Sequence, residues 1–295
     1  MSDGDPSWEL YGTFLEVMRG GSLSAAARSL GVAQPTVRSR IEALERALDV
    51  VLFTRAPNGL VPTEVAETMR PHAEAMAVTA KALARSASGP TGAERGTVRL
   101  TASEIVGTEV LPPMLVRLRE AHPAIQIELV LSNTNADLLR RDADVAIRMV
   151  APTQAALVAK RVGEVEIGFY AAGPYLDAHP APRRLSDLRK HALVGADRDR
   201  TFIEGLAAAG VETTPRDYVL RTDDQVAQLA AVRAGLGIGV CQVPLAGALT
   251  RVLPRFAFPL GLWVVTHEDL RAVRRVRVVM DHLAEELAVY AASRR

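Results

Sequence analysis

Apolar positions in the N-terminal third of the chain recur at helical spacing, and the elements they predict are short. Leu10, Phe14 and Val17 predict an amphipathic helix that Gly20-Gly21 ends. Ala25, Ala26 and Ala27 predict a small-residue helix, opened by a hydroxyl cap from Ser22 or Ser24, that a second helix can cross closely. Gly31 supplies the turn, because glycine tolerates the left-handed backbone at helix ends. Pro35 suits the first turn of the next helix, where its missing N–H costs nothing. Val37, Ile41, Leu44 and Leu48 then mark one buried face. The N-terminal part of the other face carries Gln34, Thr36, Arg38, Ser39 and Arg40, donors and acceptors without an acid among them, which suits an element entering the major groove of DNA. Val50–Phe53 and Gly59–Pro62 predict two short strands flanking a turn, a hairpin wing with Thr54 and Arg55 available to phosphates.

Thr63 is a helix cap for residues 64–87, with Glu64 and Glu67 in the first turn where the helix dipole favours acids. Ala66, Met69, Ala73, Met76, Ala80 and Leu83 alternate in steps of three and four, a coiled-coil seam that predicts a dimer through Met69, Met76 and Leu83. Pro71 is a place for that helix to bend, and Ser86–Gly92 is rich in breakers.

Beyond Arg95 strands and helices alternate. Strands are predicted at Val98–Ala102, Ile125–Leu131, Val145–Met149, Val165–Ala171, Ala192–Val194, Tyr218–Arg221, Gly237–Cys241 and Leu262–His267. Helices are predicted over 106–121, 136–141, 185–191, 202–209, 223–234 and 271–292. The pattern is α/β and implies parallel sheets in two tandem units, twin lobes with a cleft, where ligands bind at the carboxyl ends of strands.

Charge adds little to this picture. Lys+Arg 35 against Asp+Glu 34 gives a formal net charge of +1, so nucleic-acid affinity would rest on the placement of Arg28, Arg38, Arg40 and Arg55 on one surface. One cysteine, Cys241, excludes an intramolecular disulfide and fits a reducing compartment. The opening MSDGDPSWEL has neither the basic nor the apolar region of a signal peptide, and no apolar run reaches membrane-spanning length, so a cytoplasmic protein without a membrane partner is expected.

The pieces GSLSAAARSLGVAQPTVRSRIEALERALDVVLFTR, GLVPTE, GTVRLTAS, LPPMLVRLREAHP, ADVAIR and AVRAGLGIGV stand in one order along nearly the full length. In that order they resemble the LysR-type transcriptional regulators. The resemblance implies a winged helix-turn-helix over 1–63, a dimerising linker helix over 64–92 and a two-lobed, periplasmic-binding-protein-like α/β effector domain over 93–295. Its lobes would comprise 96–162 with 267–292, and 163–266. It also implies homotetramers on an inverted repeat of double-stranded promoter DNA. At Ala33 the family often has Ser or Thr, whose hydroxyl would cap the recognition helix.

On this reading Gln34, Pro35, Arg38 and Ser39 face base edges. Thr36, Arg40, Thr54 and Arg55 face phosphates, and Ser24 joins the DNA-binding set. The strand ending at Ala102 delivers Ser103 and Glu104 to a helix start that can hold a polar ligand. By resemblance Thr134, Thr201, Phe202 and Thr222 complete the site, with Arg148 as counter-charge, suiting a small carboxylate or an aromatic acid.

Two other functions compete with this one. A stand-alone solute-binding protein without a regulatory role would need only residues 96–292 and leaves the N-terminal helix pair without purpose. An enzyme finds no support: His72, His122, His179, His191, His267 and His282 have no metal-ligand spacing, Cys241 reads as a core thiol, and Ser103 lacks a His or acid partner in sequence. Glycines 235, 237 and 239 lie at a helix-to-strand junction, the reverse of a dinucleotide loop. No catalytic residue, metal or cofactor is therefore expected. Arg271, Arg274, Arg275 and Arg277 read as a solvated face that balances acidic neighbours.

Overall fold

The computed structural model describes residues 6–56, 59–87, 93–133, 143–152, 157–199, 204–205, 207 and 213–293. Two compact units divide the chain, residues 1–84 and 85–295, so the linker helix belongs mostly to the first.

In the first unit α1 (Trp8–Gly20) ends at Gly21 in the left-handed conformation, φ 63°. Ser22, not Ser24, caps α2 (Leu23–Leu30), its Oγ accepting from the Ala25 N–H at 3.2 Å. Gly31, φ 66°, ends α2. Then α3 (Gln34–Leu48) starts at Ala33, with no side-chain cap and a proline in its first turn. Phe14, Leu15, Val17, Ala26, Ala27, Val37, Ile41 and Leu44 are all buried in one core. The wing is β1 (Phe53–Ala56) paired antiparallel with β2 (Gly59–Pro62). Its first strand starts three residues later than the apolar run Val50–Phe53 predicts, because Glu45 Oε1 takes the Leu52 and Phe53 N–H groups at 2.7 and 3.3 Å and Val50 N–H bonds the Glu45 carbonyl. Leu60 N–H donates to the Gly21 carbonyl at 3.1 Å, and a Cβ at Gly59 would overlap that same oxygen. Only glycine, with φ 133° there, lets the wing lie against the α1–α2 turn.

α4 (Glu64–Ala87) is capped by Thr63, whose Oγ1 accepts from the Ala66 N–H. The predicted seam divides. Ala66 and Ala73 are buried in the unit's own core, with Met69 packed beside them, whereas Met76 and Leu83 are 43% and 73% exposed. The expectation of one continuous dimer seam is thus corrected at Ala66 and Ala73, which the unit's own core covers. At about 100° per residue the alanines fall on a stripe adjacent to that of Met76 and Leu83.

The second unit is built on a seven-stranded sheet of order β10-β6-β11-β5-β3-β4, with β9 also paired to β6. In chain order the elements are β3 (Gly96–Ala102), a π-helical turn Val106–Val110, α5 (Leu111–Ala121), β4 (Ile125–Leu131), β5 (Val145–Arg148) and β6 (Leu157–Ala171). α6 (Gly173–Ala178), β7 (Leu193–Gly195), β8 (Tyr218–Arg221), α7 (Gln225–Arg233), β9 (Gly239–Gln242), β10 (Thr250–Val252), β11 (Phe258–His267) and α8 (Arg274–Ala292) follow. The expected all-parallel sheets are corrected. β3 is parallel to β4 and β5, and β7 to β8, but β6 and β11 run antiparallel along ten residues and carry the sheet from one lobe to the other. The predicted helices at 136–141 and 202–209 fall largely outside the described residues.

Two glycines permit close approach. A Cβ at Gly107 would overlap the Leu131 side chain, and one at Gly237 the Ala192 carbonyl oxygen, which also accepts from the Ile238 N–H. Arg275 corrects the solvated arginine face: it is buried and donates to the Thr97 carbonyl, while Arg274 pairs with Glu94 and Arg277 with Asp281. Gly107→Ala is expected to cost about 1–3 kcal/mol, the range for overpacking. Gly237→Ala is expected to cost more, because a backbone carbonyl cannot turn aside as a leucine side chain can. Equilibrium urea denaturation of both variants checks the ranking.

Candidate nucleic-acid interface and ligand cleft

Gly21, Gly31 and the crossing at Ala26 and Ala27 set α3 so that Val37, Ile41 and Leu44 face inward. Gln34, Pro35, Arg38 and Ser39 are then exposed, with Thr36 half-buried, on a helix whose first N–H groups no side chain caps. Arg38 makes no hydrogen bond or ion pair with the described residues. Arg40 differs: its guanidinium is paired with Glu9 at the start of α1. Ser24 is exposed. On the wing Thr54 and Arg55 are exposed, Thr54 donating to the Val61 carbonyl at 3.3 Å. Glu9 and Glu45, which hold Arg40 and the wing, were not singled out by sequence; Glu45 stands within the LERAL run that closes the recognition helix.

In the second unit β3 and β5 end side by side, Thr101 beside Ala146 in register. Arg148, at the end of β5, is buried and donates to the Thr101 Oγ1 at 3.4 Å and the Ile147 carbonyl at 3.2 Å. The next residue after β3 is Ser103, whose Oγ is buried and has no hydrogen-bond partner among the described residues. Glu104 is held in both directions by Asn133, which accepts from its N–H at 3.2 Å and donates to its carboxylate at 3.1 Å. Asn133 lies two residues beyond β4, close to the kind of strand end that the argument applied to Ser103 points to. Thr222, at the end of β8, turns its hydroxyl onto the Asp224 N–H at 3.1 Å, so it serves the start of α7. Thr134, Thr201 and Phe202 lie outside the described residues.

Beside Thr222 the Asp223 carboxylate collects the backbone N–H groups of Arg198, Asp199 and Asp197, which hold its pKa down at about 2. This ties the loop after β7 to the end of β8. Cys241 is buried, its thiol pushed up to about 12 by that burial, so it is no thiolate at neutral pH. The histidines are spread among local contacts: His122 with Glu94, His282 with the Met114 carbonyl, His179 and His191 on either side of Tyr175. Among the described residues no three His, Cys, Asp or Glu side chains gather as a metal site, and no helix is long and apolar enough to cross a membrane.

Residues 8–67 match the bacterial regulatory helix-turn-helix protein, lysR family, and residues 91–288 match the LysR substrate binding domain. The chain is 26% identical over 287 residues to the probable HTH-type transcriptional regulator LtrA of Klebsiella pneumoniae, covering 92% of each protein. It is 26% identical over 292 residues to the HTH-type transcriptional activator TtdR of Escherichia coli K12, covering 94% of each. Among solved structures, full-length CbnR complexed with its target DNA superposes with a TM-score of 0.70 at 18% identity, over 95% of this chain and 99% of that one. The Vibrio cholerae virulence activator AphB, also full-length, gives 0.62 at 22% identity over 95% and 99%. With both segments matched, together spanning most of its length, the chain belongs to the LysR family of DNA-binding transcriptional regulators.

Proposed function

We propose that this regulator reads an inverted repeat of promoter DNA as a dimer or a dimer of dimers and responds to a small carboxylate or aromatic acid held between its lobes, in the cytoplasm and without catalysis. The observation that carries the DNA reading is the exposed N-terminal face of α3, with Gln34, Arg38 and Ser39, beside a wing that presents Thr54 and Arg55. Arg38 suits guanine and Gln34 adenine, each bidentate contact contributing about 1–3 kcal/mol of discrimination. Arg40, already paired with Glu9, contributes its charge through that pair and is a weaker phosphate ligand than Arg55. We assign the winged domain to residues 1–63, the linker to 64–92 and the effector domain to 93–295. Lobe I comprises 96–162 and 267–292, and lobe II comprises 163–266.

Dimerisation is assigned to the exposed stripe of α4, Met76 and Leu83 with Val65, and Met69 lies at its edge with the core. Two recognition helices then reach half-sites about one helical turn, roughly 34–36 Å, apart or a multiple of it. The buried hydroxyl of Ser103 supports the effector site, because a hydroxyl cut off from water gains most from a ligand that bonds it. Arg148 lies one strand away as a cation toward which a carboxylate would orient, and Glu104 sets a limit on how anionic the ligand is.

Arg38→Ala is expected to relax specificity at one base pair, whereas Arg55→Ala weakens all sequences alike and lowers the salt slope by about one. Footprinting on the upstream intergenic region at several salt concentrations separates the two. Met76→Glu with Leu83→Glu puts charge into the stripe and is expected to dissociate the dimer; light scattering showing an unchanged assembly places the interface elsewhere. In a thermal-shift screen of small carboxylates and aromatic acids, Ser103→Ala is expected to keep the ligand-free stability, since it removes an unpartnered buried hydroxyl. It should also lose the shift that the wild-type protein gains, and a shift of equal size in the variant would rule Ser103 out of the site.

A further inference from the structure

Two ion pairs of the first unit, Arg19 with Glu16 and Arg70 with Glu67, join neighbours on one helix. Arg40 with Glu9 is different in kind, because it joins two helices: Arg40 of α3 donates from Nη2 to Oε1 of Glu9, 31 residues away at the start of α1. Packing puts both residues there. Arg40 stands three residues after Val37 and four before Leu44, both fully buried, so its stem follows the edge of the inward face and only 21% of its side chain is exposed. Glu9 stands one turn before Thr13, which is buried and donates to the Glu9 carbonyl at 2.8 Å, so it comes to the same seam between α1 and α3. The helix dipole also favours an acid in that first turn of α1.

Arg38 and Arg55, by contrast, are exposed and make no hydrogen bond or ion pair with the described residues. Arg40 is therefore the arginine of the reading face whose charge is already matched. Glu9 uses one of the five guanidinium donors, and the others stay available to an acceptor. Thr36, one turn before Arg40 on the same flank of α3, is a second donor toward the same stretch of DNA backbone.

We infer that Glu9 is a specificity-determining residue of this regulator: it neutralises and orients Arg40, so that this arginine gives the DNA backbone a directional hydrogen bond but adds no net charge. Two kinds of binding separate on this point. Binding to arbitrary sequence is driven by cations that release counterions from phosphates, with a salt slope of about 0.9 for each phosphate neutralised. A neutral Arg–Glu unit contributes nothing to it. Binding at the operator depends on the register that backbone hydrogen bonds fix, and a guanidinium already pinned against α1 has little side-chain freedom left to lose. The pair thus lowers the background without a matching loss at the operator. For a regulator that difference is the quantity that counts, because a genome offers about 10⁶–10⁹ competing sites. It suits a chain of net charge +1, in which each unmatched arginine on the reading face is a large share of the local field. The inference rests on the proposed docking of α3 by its N-terminal face.

Full-length protein titrated by fluorescence anisotropy onto a random-sequence duplex and onto the duplex protected in footprinting, at about 50 to 200 mM salt, tests it. Glu9→Gln frees the charge of Arg40. Random-duplex affinity is then expected to rise about threefold at low salt and its salt slope to steepen by about one, while operator affinity rises less, so the specificity ratio falls. Glu9→Gln with Arg40→Gln restores the net charge of the pair without its guanidinium. This double variant is expected to bind the random duplex with the wild-type affinity and slope, and the operator about threefold to tenfold more weakly, the loss of one backbone hydrogen bond. An unchanged slope in Glu9→Gln, or a rise at the operator as large as that on the random duplex, overturns the role of Glu9. Full operator affinity in the double variant overturns the backbone contact of Arg40. Both residues lie outside the buried core, and a loss of folded protein would lower affinity at every salt concentration alike without steepening the slope. Arg38→Ala separates the two readings: an unchanged footprint and operator affinity count against the docking of α3, whereas a changed footprint beside an unchanged Glu9→Gln slope counts against Glu9 alone.

Discussion

The antiparallel pairing of β6 with β11 decides what the effector domain can do. Ten residues of each strand bond across from Leu157 to Ile167 and from Phe258 to His267, with an irregularity at Leu262/Trp263. These two strands carry both lobes, so neither lobe can move without bending a hydrogen-bonded ribbon. On one side of the ribbon the lobes also share a continuous apolar core, from Val110 to Leu245. Wide opening would expose that core at about 25 cal/mol for each Å² of apolar surface.

In the N-terminal unit the corresponding constraint is the docking of the wing on the first helical turn. Leu60 bonds Gly21, Glu45 bonds Leu52 and Phe53, and Phe14 meets Phe53 with ring centroids 5.8 Å apart. The Glu45 carboxylate thus fixes the wing to the recognition helix, a backbone bond fixes it to the α1–α2 turn, and Arg38 and Arg55 stand on one frame. That rigidity matters because the chain has no excess of positive charge to compensate for poor placement: a net charge of +1 gives almost no bulk attraction to phosphates. The clean polar face of α3, with the nearest acids further along the helix at Glu42 and Glu45, does locally what net charge does not do globally.

Much of this was legible in the sequence because periodicity and breakers agreed. The caps and turns at Gly21, Gly31 and Thr63 and the strands at Ile125–Leu131 and Tyr218–Arg221 stand where apolar spacing places them. The failures have physical reasons. The first half of β6 was missed because Lys160, Arg161 and Glu164 interrupt the apolar pattern on a stretch whose side chains are largely solvated. A seam read as steps of three and four on α4 cannot distinguish the alanine stripe from the Met76–Leu83 stripe beside it. Ion pairs between distant segments, Arg40 with Glu9 and Arg233 with Glu109, leave no local signal at all. Of the residues proposed for the effector site, Ser103 and Glu104 followed from a strand-to-helix junction, while the pairing of Glu104 with Asn133 depends on β4 running parallel to β3 and ending beside it.

A ligand acting on such a domain faces an energetic requirement that its site alone does not meet. Moving a two-state equilibrium from 1:99 to 99:1 takes about 5.5 kcal/mol of preference for one state. A single neutral hydrogen bond to Ser103 contributes about 0.5–1.5 kcal/mol net, and one to a charged group about 1.5–3. An effector that touches only the helix start at Ser103 is therefore too weak a lever, whereas one that also engages the cation at Arg148 approaches the requirement. The remainder falls if the opposing state is barely favoured to begin with, because the ligand then has a smaller difference to overcome. A molecule with a handful of polar atoms can therefore decide between two arrangements only where these are already close in free energy.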